Sequence, residues 1–221
     1  HGIAAERIVL GNGSDEIIGL LAQTLLVPGD EVLIPAPSFL MYEISVRSVG
    51  ATPCFVPLKD LAIDLDGLAA KVNARTRLAF VCNPNNPTGT AISVDAMRAF
   101  LDRLPERVVV VADEAYIEFA SDENCYNSLR DGLDDPRLVS LRTFSKAYGL
   151  AGLRVGYGVM PTELADLVQR IRPPFNVNSL AQTAATAALG DDAFLRRTVD
   201  VVHSGLQQLG TALNEMGLRH Y

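Results

Sequence analysis

Short strand-like runs alternate with helix-like runs along most of the chain, and this alternation limits the possible fold more than any other sequence feature. Five runs rich in β-branched residues predict strands, and a sixth run, which carries glycines, predicts a weaker one. Such alternation is typical of βαβ units, which build a mostly parallel sheet with helices on both faces. The predicted strands are 31–34, 52–56, 78–82, 108–112, 138–141 and 155–159.

Amphipathic runs occupy the intervals between these strands. The first of them, 15–26, places Ile17 and Leu21 near one face and has Ser14 as its predicted N-cap. The apolar run 108–112 predicts a central strand that is buried on both sides. After Pro161 the pattern becomes mostly helical. The predicted helices are 15–26, 39–49, 68–73, 94–104, 163–171, 179–189 and 193–216.

The chain predicts one α/β domain with three layers, αβα, around a mostly parallel central sheet. Of its 221 residues 48% are hydrophobic, which is enough for a large buried core, and no linker or internal repeat divides them. The chain opens without methionine and stops just after a long helical pattern. We therefore expect 1–221 to be a large domain, and the helix at about 193–216 to lead toward a small C-terminal domain that is missing here.

Composition excludes several classes of protein. The net charge of −7 argues against a general nucleic-acid binder, because an acidic surface repels phosphates. No apolar run approaches the roughly 20 residues that span a bilayer, and no signal peptide is present. The three scattered cysteines predict free thiols in a reducing cytoplasm. His1, His203 and His220 do not group with other ligand residues, so no metal site is predicted.

Polar residues collect where the predicted strands end, which is where ligands bind in a doubly wound sheet. One cluster, 11–16, opens the first helix and could hold a phosphate at the helix N-terminus, although a capped turn without a ligand fits the same residues. The other clusters follow the third, fourth and fifth strands, and a lone arginine lies eight residues beyond the last. These positions are 83–89, 113–116, 143–146 and Arg154.

Two of these positions suggest chemistry. Asp113 ends an apolar strand, where a carboxylate is costly unless it meets a cation or a donor, so it could pair with a protonated ring nitrogen or cap a helix. Tyr116 could reach the same ligand or serve only in packing. Lys146 lies among small and apolar residues near the cation of Arg154, a desolvated setting that makes an amine a usable nucleophile. Most lysines, however, are solvated surface groups.

Together these motifs resemble those of the fold-type I pyridoxal-phosphate (PLP) aminotransferases, specifically the histidinol-phosphate aminotransferase family. The segment 142–157, which reads Arg-Thr-Phe-Ser-Lys-Ala-Tyr-Gly-Leu-Ala-Gly-Leu-Arg-Val-Gly-Tyr, is similar to that family's cofactor-lysine segment almost residue for residue. The segments 12–16, 83–89 and 113–116 are similar to its other signatures, in the same order. The resemblance covers nearly the whole chain and implies the large domain of the PLP-dependent transferase fold.

The resemblance implies PLP as the cofactor and a role for each candidate residue. Lys146 would hold the cofactor covalently and later move a proton. Asp113 would keep the pyridine nitrogen protonated, which makes the ring an electron sink. Tyr116 and Asn86 would donate to the phenolic oxygen. The remaining matches are an aromatic residue stacked on the ring and a set of phosphate-binding residues, which are Phe39 and then Ser14, Asp15, Thr143, Ser145 and Arg154.

The resemblance also implies a reaction: L-histidinol phosphate and 2-oxoglutarate give imidazole-acetol phosphate and L-glutamate in histidine biosynthesis. It implies a homodimer whose partners are a small amino donor and a 2-oxo acid, with no nucleic acid and no membrane. The family's N-terminal arm and its substrate-binding arginines are not visible here, so the chain could bind cofactor and yet be inactive alone. Four alternatives stay open. They are an aromatic amino-acid aminotransferase, a threonine-phosphate-type PLP decarboxylase, a PLP-binding regulatory module and a nucleotide-binding domain without PLP.

Overall fold

The computed structural model describes residues 2–132 and 134–220. Within these residues, seven strands form one sheet. The strands are β1 Ile8–Gly11, β2 Glu31–Ala36, β3 Thr52–Pro57, β4 Thr76–Cys82, β5 Val109–Asp113, β6 Leu138–Thr143 and β7 Gly156–Val159. The α-helices are α1 Ser14–Leu25, α2 Met41–Ser48, α3 Leu65–Ala70, α4 Val94–Arg103, α5 Ser128–Asp131, α6 Thr162–Ile171, α7 Ser179–Ala188 and α8 Asp192–Glu215.

The strand order is β1-β7-β6-β5-β4-β2-β3, and all neighbours are parallel except β7, which runs antiparallel to both β1 and β6. Strand β5 lies at the centre, and Val110, Val111 and Ala112 are fully buried, so the predicted central strand is confirmed. One hydrophobic core joins the sheet to α1, α2 and α6, and a second joins it to α3 and α4. The predicted three-layer αβα fold with a mostly parallel sheet is therefore confirmed.

The six predicted strands are all present, with ends that differ by one or two residues. Strand β1 was not predicted, because a four-residue run that passes directly into a glycine-rich turn carries little periodicity. Helix α3 begins three residues earlier than predicted, since the Asp64 side chain caps it by accepting from the Gly67 N–H at 2.9 Å.

The predicted N-cap of α1 was wrong. Ser14 is the first residue of the helix, and Gly13 is the cap. Gly13 has a φ of 79°, and a Cβ added there would lie 2.6 Å from Arg154 Nη2. The positive φ favours glycine at this position, because other residues rarely adopt it, and the Arg154 guanidinium lies close against the glycine.

No helix in the part of the chain that the structure describes is long and apolar enough to cross a membrane. Over the same residues, no three His, Cys, Asp or Glu side chains are grouped so that they could hold a metal ion. His203 is half-buried on α8, and its Nε2 lies 2.9 Å from the Phe119 carbonyl oxygen. His1 lies outside the described residues.

Candidate active site

The carboxyl ends of β4, β5 and β6 and the N-terminus of α1 meet around one open cavity of about 130 Å³. All ten residues predicted for the site line this cavity, so the structure brings them together. They are Ser14, Asp15, Phe39, Asn86, Asp113, Tyr116, Thr143, Ser145, Lys146 and Arg154. Gly13, Cys82 and Ala115 also line it and were not predicted.

Asp113, the last residue of β5, provides a buried carboxylate at the floor of the cavity. The Tyr42 hydroxyl donates to Oδ2 at 2.7 Å, and the Ala115 N–H donates to Oδ1 at 3.2 Å. Burial raises the pKa of Asp113 to about 6, against the opposing effect of these two hydrogen bonds. The carboxylate can therefore share a proton with a basic ligand atom near neutral pH.

Glu114 forms a second buried acidic centre, directly behind the first. Its carboxylate accepts from Ser128 N at 2.6 Å, Ser128 Oγ at 2.7 Å, Ser140 Oγ at 3.0 Å and Arg142 Nε at 2.9 Å. Arg142 also donates to Asn127 Oδ1 at 2.7 Å. A buried ion pair with all these hydrogen bonds is held firmly and joins the ends of β5 and β6. The contacts of Arg142 are therefore those of a structural residue.

The opposite end of the cavity is suited to an anion. Helix α1 starts there with free backbone N–H groups, and the Arg154 guanidinium lies against its cap. Arg154 has a left-handed backbone, with φ 58° and ψ 67°, and its Nη1 donates to Ser145 Oγ at 3.4 Å and to Ala151 O at 3.1 Å. The Ser145 N–H donates to Thr143 Oγ1 at 3.1 Å. Backbone N–H groups, hydroxyls and a cation therefore form one cradle.

Lys146 lines the same cavity, and its Nζ lies 5.1 Å from the centroid of the Tyr116 ring. Its neighbours Phe144 and Ala147 are buried, but the lysine itself is exposed. The predicted desolvated setting is therefore wrong for this chain, because the residues around Lys146 leave one side open to solvent. The exposed amine is accessible to a ligand in the cavity.

Aromatic rings build the wall beside the carboxylate. Phe39 is half-buried at the cavity, and the Tyr42 ring meets it edge-on with centroids 5.6 Å apart. The Tyr42 ring also stacks on Phe80, at 4.3 Å between centroids and 7° between planes. Sequence reasoning missed Tyr42, whose only signal was its place one turn after Phe39. The contact with Asp113 spans 71 positions of sequence, which no local pattern predicts.

Cys82 ends β4 beside the same carboxylate and was also missed. Burial and the nearby charge of Asp113 raise the pKa of its thiol to about 12, so it stays protonated. The thiol donates to Pro84 O at 3.4 Å and accepts from the Asn86 N–H at 3.4 Å. These contacts hold the loop that presents Asn86 to the cavity.

This arrangement fits a phosphorylated pyridine aldehyde. The cradle suits the phosphate, the carboxylate suits a ring nitrogen, and the accessible amine of Lys146 suits the aldehyde. Gly13 contributes to the fit, because the absence of a side chain there leaves room for the Arg154 guanidinium to lie close to the start of α1.

Comparison with known proteins agrees with the geometry. The model of the family described as aminotransferase class I and II matches residues 1–221. The chain is 49% identical to histidinol-phosphate aminotransferase 2 of Carboxydothermus hydrogenoformans over 100% of the chain and 61% of that protein. It is 47% identical to histidinol-phosphate aminotransferase 1 of Cupriavidus pinatubonensis over 98% of the chain and 58% of that protein.

Among solved structures, histidinol-phosphate aminotransferase from Sinorhizobium meliloti in complex with pyridoxal-5′-phosphate superposes with a TM-score of 0.93 at 30% identity. That match covers 99% of the chain and 60% of the other protein. The chain therefore spans about three fifths of the length of the proteins that it resembles.

Proposed function

The chain belongs to the class I and II aminotransferase family, and on this premise we propose that it is the cofactor-binding part of a PLP-dependent aminotransferase. The proposed reaction moves an amino group from L-histidinol phosphate to 2-oxoglutarate and yields imidazole-acetol phosphate and L-glutamate. One observation carries the proposal: the Lys146 amine, the Asp113 carboxylate and the anion cradle at Arg154 line the same cavity. The names of the relatives support histidinol phosphate as the amino donor.

Lys146 and Asp113 hold the two reactive ends of the cofactor in this proposal. When bound, PLP supplies an electrophilic carbon and a protonated ring that accepts electron density. The Lys146 amine would hold the cofactor covalently and would serve as the base that takes the proton from the donor's α-carbon. The buried Asp113 carboxylate keeps a proton on the ring nitrogen.

The other lining residues orient the cofactor. Phe39 would cover one face of the ring, and Asn86 and Tyr116 would donate to its phenolic oxygen. The start of α1, at Ser14 and Asp15, would hold the phosphate with its backbone N–H groups. The hydroxyls of Thr143 and Ser145 and the guanidinium of Arg154 would complete the cradle.

The chain is proposed to act as part of a larger assembly. We propose that residues 1–221 are a large domain and that α8 leads toward a small domain; the support is that the chain spans about three fifths of the proteins that it resembles. The family resemblance supports a homodimer. The described cysteines, Cys54, Cys82 and Cys125, are all free, which supports a reducing compartment such as the cytoplasm.

Covalent labelling tests the cofactor assignment. The chain has three lysines, Lys59, Lys71 and Lys146, so reduction of the PLP-loaded chain with borohydride, followed by peptide mapping, identifies the site without ambiguity. We expect the label on Lys146. Absence of label, or label confined to the other two lysines, would reject the proposal.

A substrate panel tests the reaction. The full-length protein is assayed with histidinol phosphate, phenylalanine, tyrosine and threonine phosphate, each with 2-oxoglutarate, and glutamate formation is followed. We expect the highest kcat/KM with histidinol phosphate. A higher value with an aromatic amino acid would replace the proposed substrate, and release of carbon dioxide from threonine phosphate would replace the reaction class.

A further inference from the structure

Tyr42 carries a hydroxyl that the proposed reaction does not use, although it contacts the carboxylate on which that reaction depends. The residue is fully buried, and its hydroxyl donates to Asp113 Oδ2 at 2.7 Å. The ring is held on one side by stacking on Phe80 and on another by the edge of Phe39. The hydroxyl is therefore fixed toward Asp113.

The other hydrogen bond to Asp113 is longer and comes from the backbone, from the Ala115 N–H at 3.2 Å. Among the residues that the structure describes, Tyr42 is the one side chain that donates a hydrogen bond to this carboxylate. A hydrogen bond to a charged group is stronger than one between neutral groups, and it favours the charged form. Substitution of Tyr42 should therefore change the protonation of Asp113.

The remaining groups that face Asp113 oppose its ionisation or leave it unchanged. Asp15 on α1 and the adjacent Glu114 are acidic, and their charges raise the pKa of Asp113. Cys82 on β4 stays a neutral thiol, since its own pKa is raised to about 12. Lys146 and Arg154 line the cavity and are exposed, so solvent screens their charges. The Tyr42 hydroxyl is thus the main contact that counters the cost of burial.

We propose that Tyr42 is a positioning residue whose hydroxyl keeps Asp113 ionised. The proton for which Asp113 and the pyridine nitrogen of a bound cofactor compete then stays on the nitrogen. The inference rests on the proposed function, because it requires such a nitrogen. One proton is shared between a carboxylate oxygen and a ring nitrogen. When the Tyr42 donor is lost, the carboxylate becomes more basic and takes that proton, which leaves the ring neutral.

The first test measures Asp113 in the cofactor-free chain. Tyr42→Phe removes one oxygen and keeps the ring that stacks on Phe80. NMR titration of ¹³C-labelled aspartate should show the pKa of Asp113 rising by about 1 to 2 units in this variant. The matched control is Tyr126→Phe, because Tyr126 is equally buried and its hydroxyl has no hydrogen-bond partner among the described residues. The control should leave Asp113 unchanged, and equal titration in both variants would overturn the inference.

The second test uses the PLP-loaded chain and ¹⁵N-labelled cofactor. The ring nitrogen should give a protonated signal in the parent chain and in Tyr126→Phe, and a neutral signal in Tyr42→Phe at the same pH. Borohydride labelling of Lys146 is run on the same samples. Labelled Lys146 with a protonated ring in Tyr42→Phe would overturn the Tyr42 inference alone, whereas a parent chain without label would overturn the proposed function.

A third variant covers the case in which Tyr42→Phe does not fold. A fluorinated tyrosine placed at position 42 has a more acidic hydroxyl and therefore donates a stronger hydrogen bond. It should lower the pKa of Asp113, in the direction opposite to Tyr42→Phe. A rise or no change with the fluorinated residue would contradict the inference.

Discussion

The two sides of the cavity differ in how completely the chain alone determines them. The buried side consists of Tyr42, Cys82 and Asp113, and every one of these side chains is packed in the interior and hydrogen-bonded. The exposed side consists of Lys146 and Arg154, which solvent reaches directly. One side is thus in place before any ligand binds, and the other is completed by the ligand.

This difference separates two kinds of contribution to function. Preorganised dipoles and charges in a water-poor setting are effective because they need little rearrangement when a ligand arrives. Exposed charges are screened by water until a ligand displaces that water. Changes on the exposed side should therefore affect cofactor chemistry and leave stability almost unchanged, whereas changes on or behind the buried side should cost stability.

The largest expected effect is the loss of covalent cofactor attachment on the exposed side of the cavity. Lys146→Ala should abolish covalent attachment of PLP, because no other amine lines the cavity among the described residues. The free energy of unfolding should change by less than about 0.5 kcal/mol, since the side chain is exposed. Borohydride labelling and urea unfolding measure the two quantities.

Lys59→Ala, at another exposed lysine, is the control and should keep the label. A large loss of stability in Lys146→Ala would break the distinction between the two sides.

The next largest effect is a loss of stability on substitution of Glu114, which lies behind the buried side of the cavity. Glu114→Ala removes the acid that pairs with Arg142 in the interior, and loss of one partner of a buried pair costs about 3 to 5 kcal/mol of unfolding free energy. Glu43→Ala is the matched control, because Glu43 forms an exposed pair with Arg47 on a helix surface and should cost less than about 1 kcal/mol. Chemical denaturation of both variants checks this. Equal costs would mean that the buried pair does not support the strand ends.

The smallest effect is a pH dependence of stability that arises from Asp113. Burial raises its pKa from 3.8 to about 6, so the folded chain binds this proton more tightly than the unfolded chain. The contribution to stability is therefore fully present below pH 3.8 and is lost as pH rises through 6. The 2.2-unit difference corresponds to roughly 3 kcal/mol at most.

Denaturation of the cofactor-free chain between pH 4 and 7 measures this slope, and Asp113→Asn serves as the reference that lacks it. The parent chain should lose stability relative to the variant as pH rises over this interval. Parallel curves for the two proteins would show that the interior carboxylate has an ordinary pKa, and the buried side would then be less well packed than its contacts indicate.

Local sequence signals were sufficient for the layered fold, and the resemblance to a known family supplied the members of the site. Runs rich in β-branched residues, alternating with helical runs, identified six of the seven described strands. The central strand β5 was the plainest of them, because a strand buried on both faces is continuously apolar. Polar residues that follow the strands mark the carboxyl edge of the sheet as the place where ligands bind. The family resemblance then supplied the ten candidate residues, and all ten line one cavity. Their roles toward a cofactor stay predictions.

Only the tertiary structure decided which of these residues are shielded from water and which contacts hold them. Three contacts join segments that are far apart in sequence: β1 with β7, Gly13 with Arg154, and Tyr42 with Asp113. The exposure of Lys146 likewise depends on all the elements around it. Periodicity and composition describe a residue and its neighbours in the chain. Burial and pairing depend on every element that packs around a side chain, and that information exists only once the whole sheet and its helices have assembled.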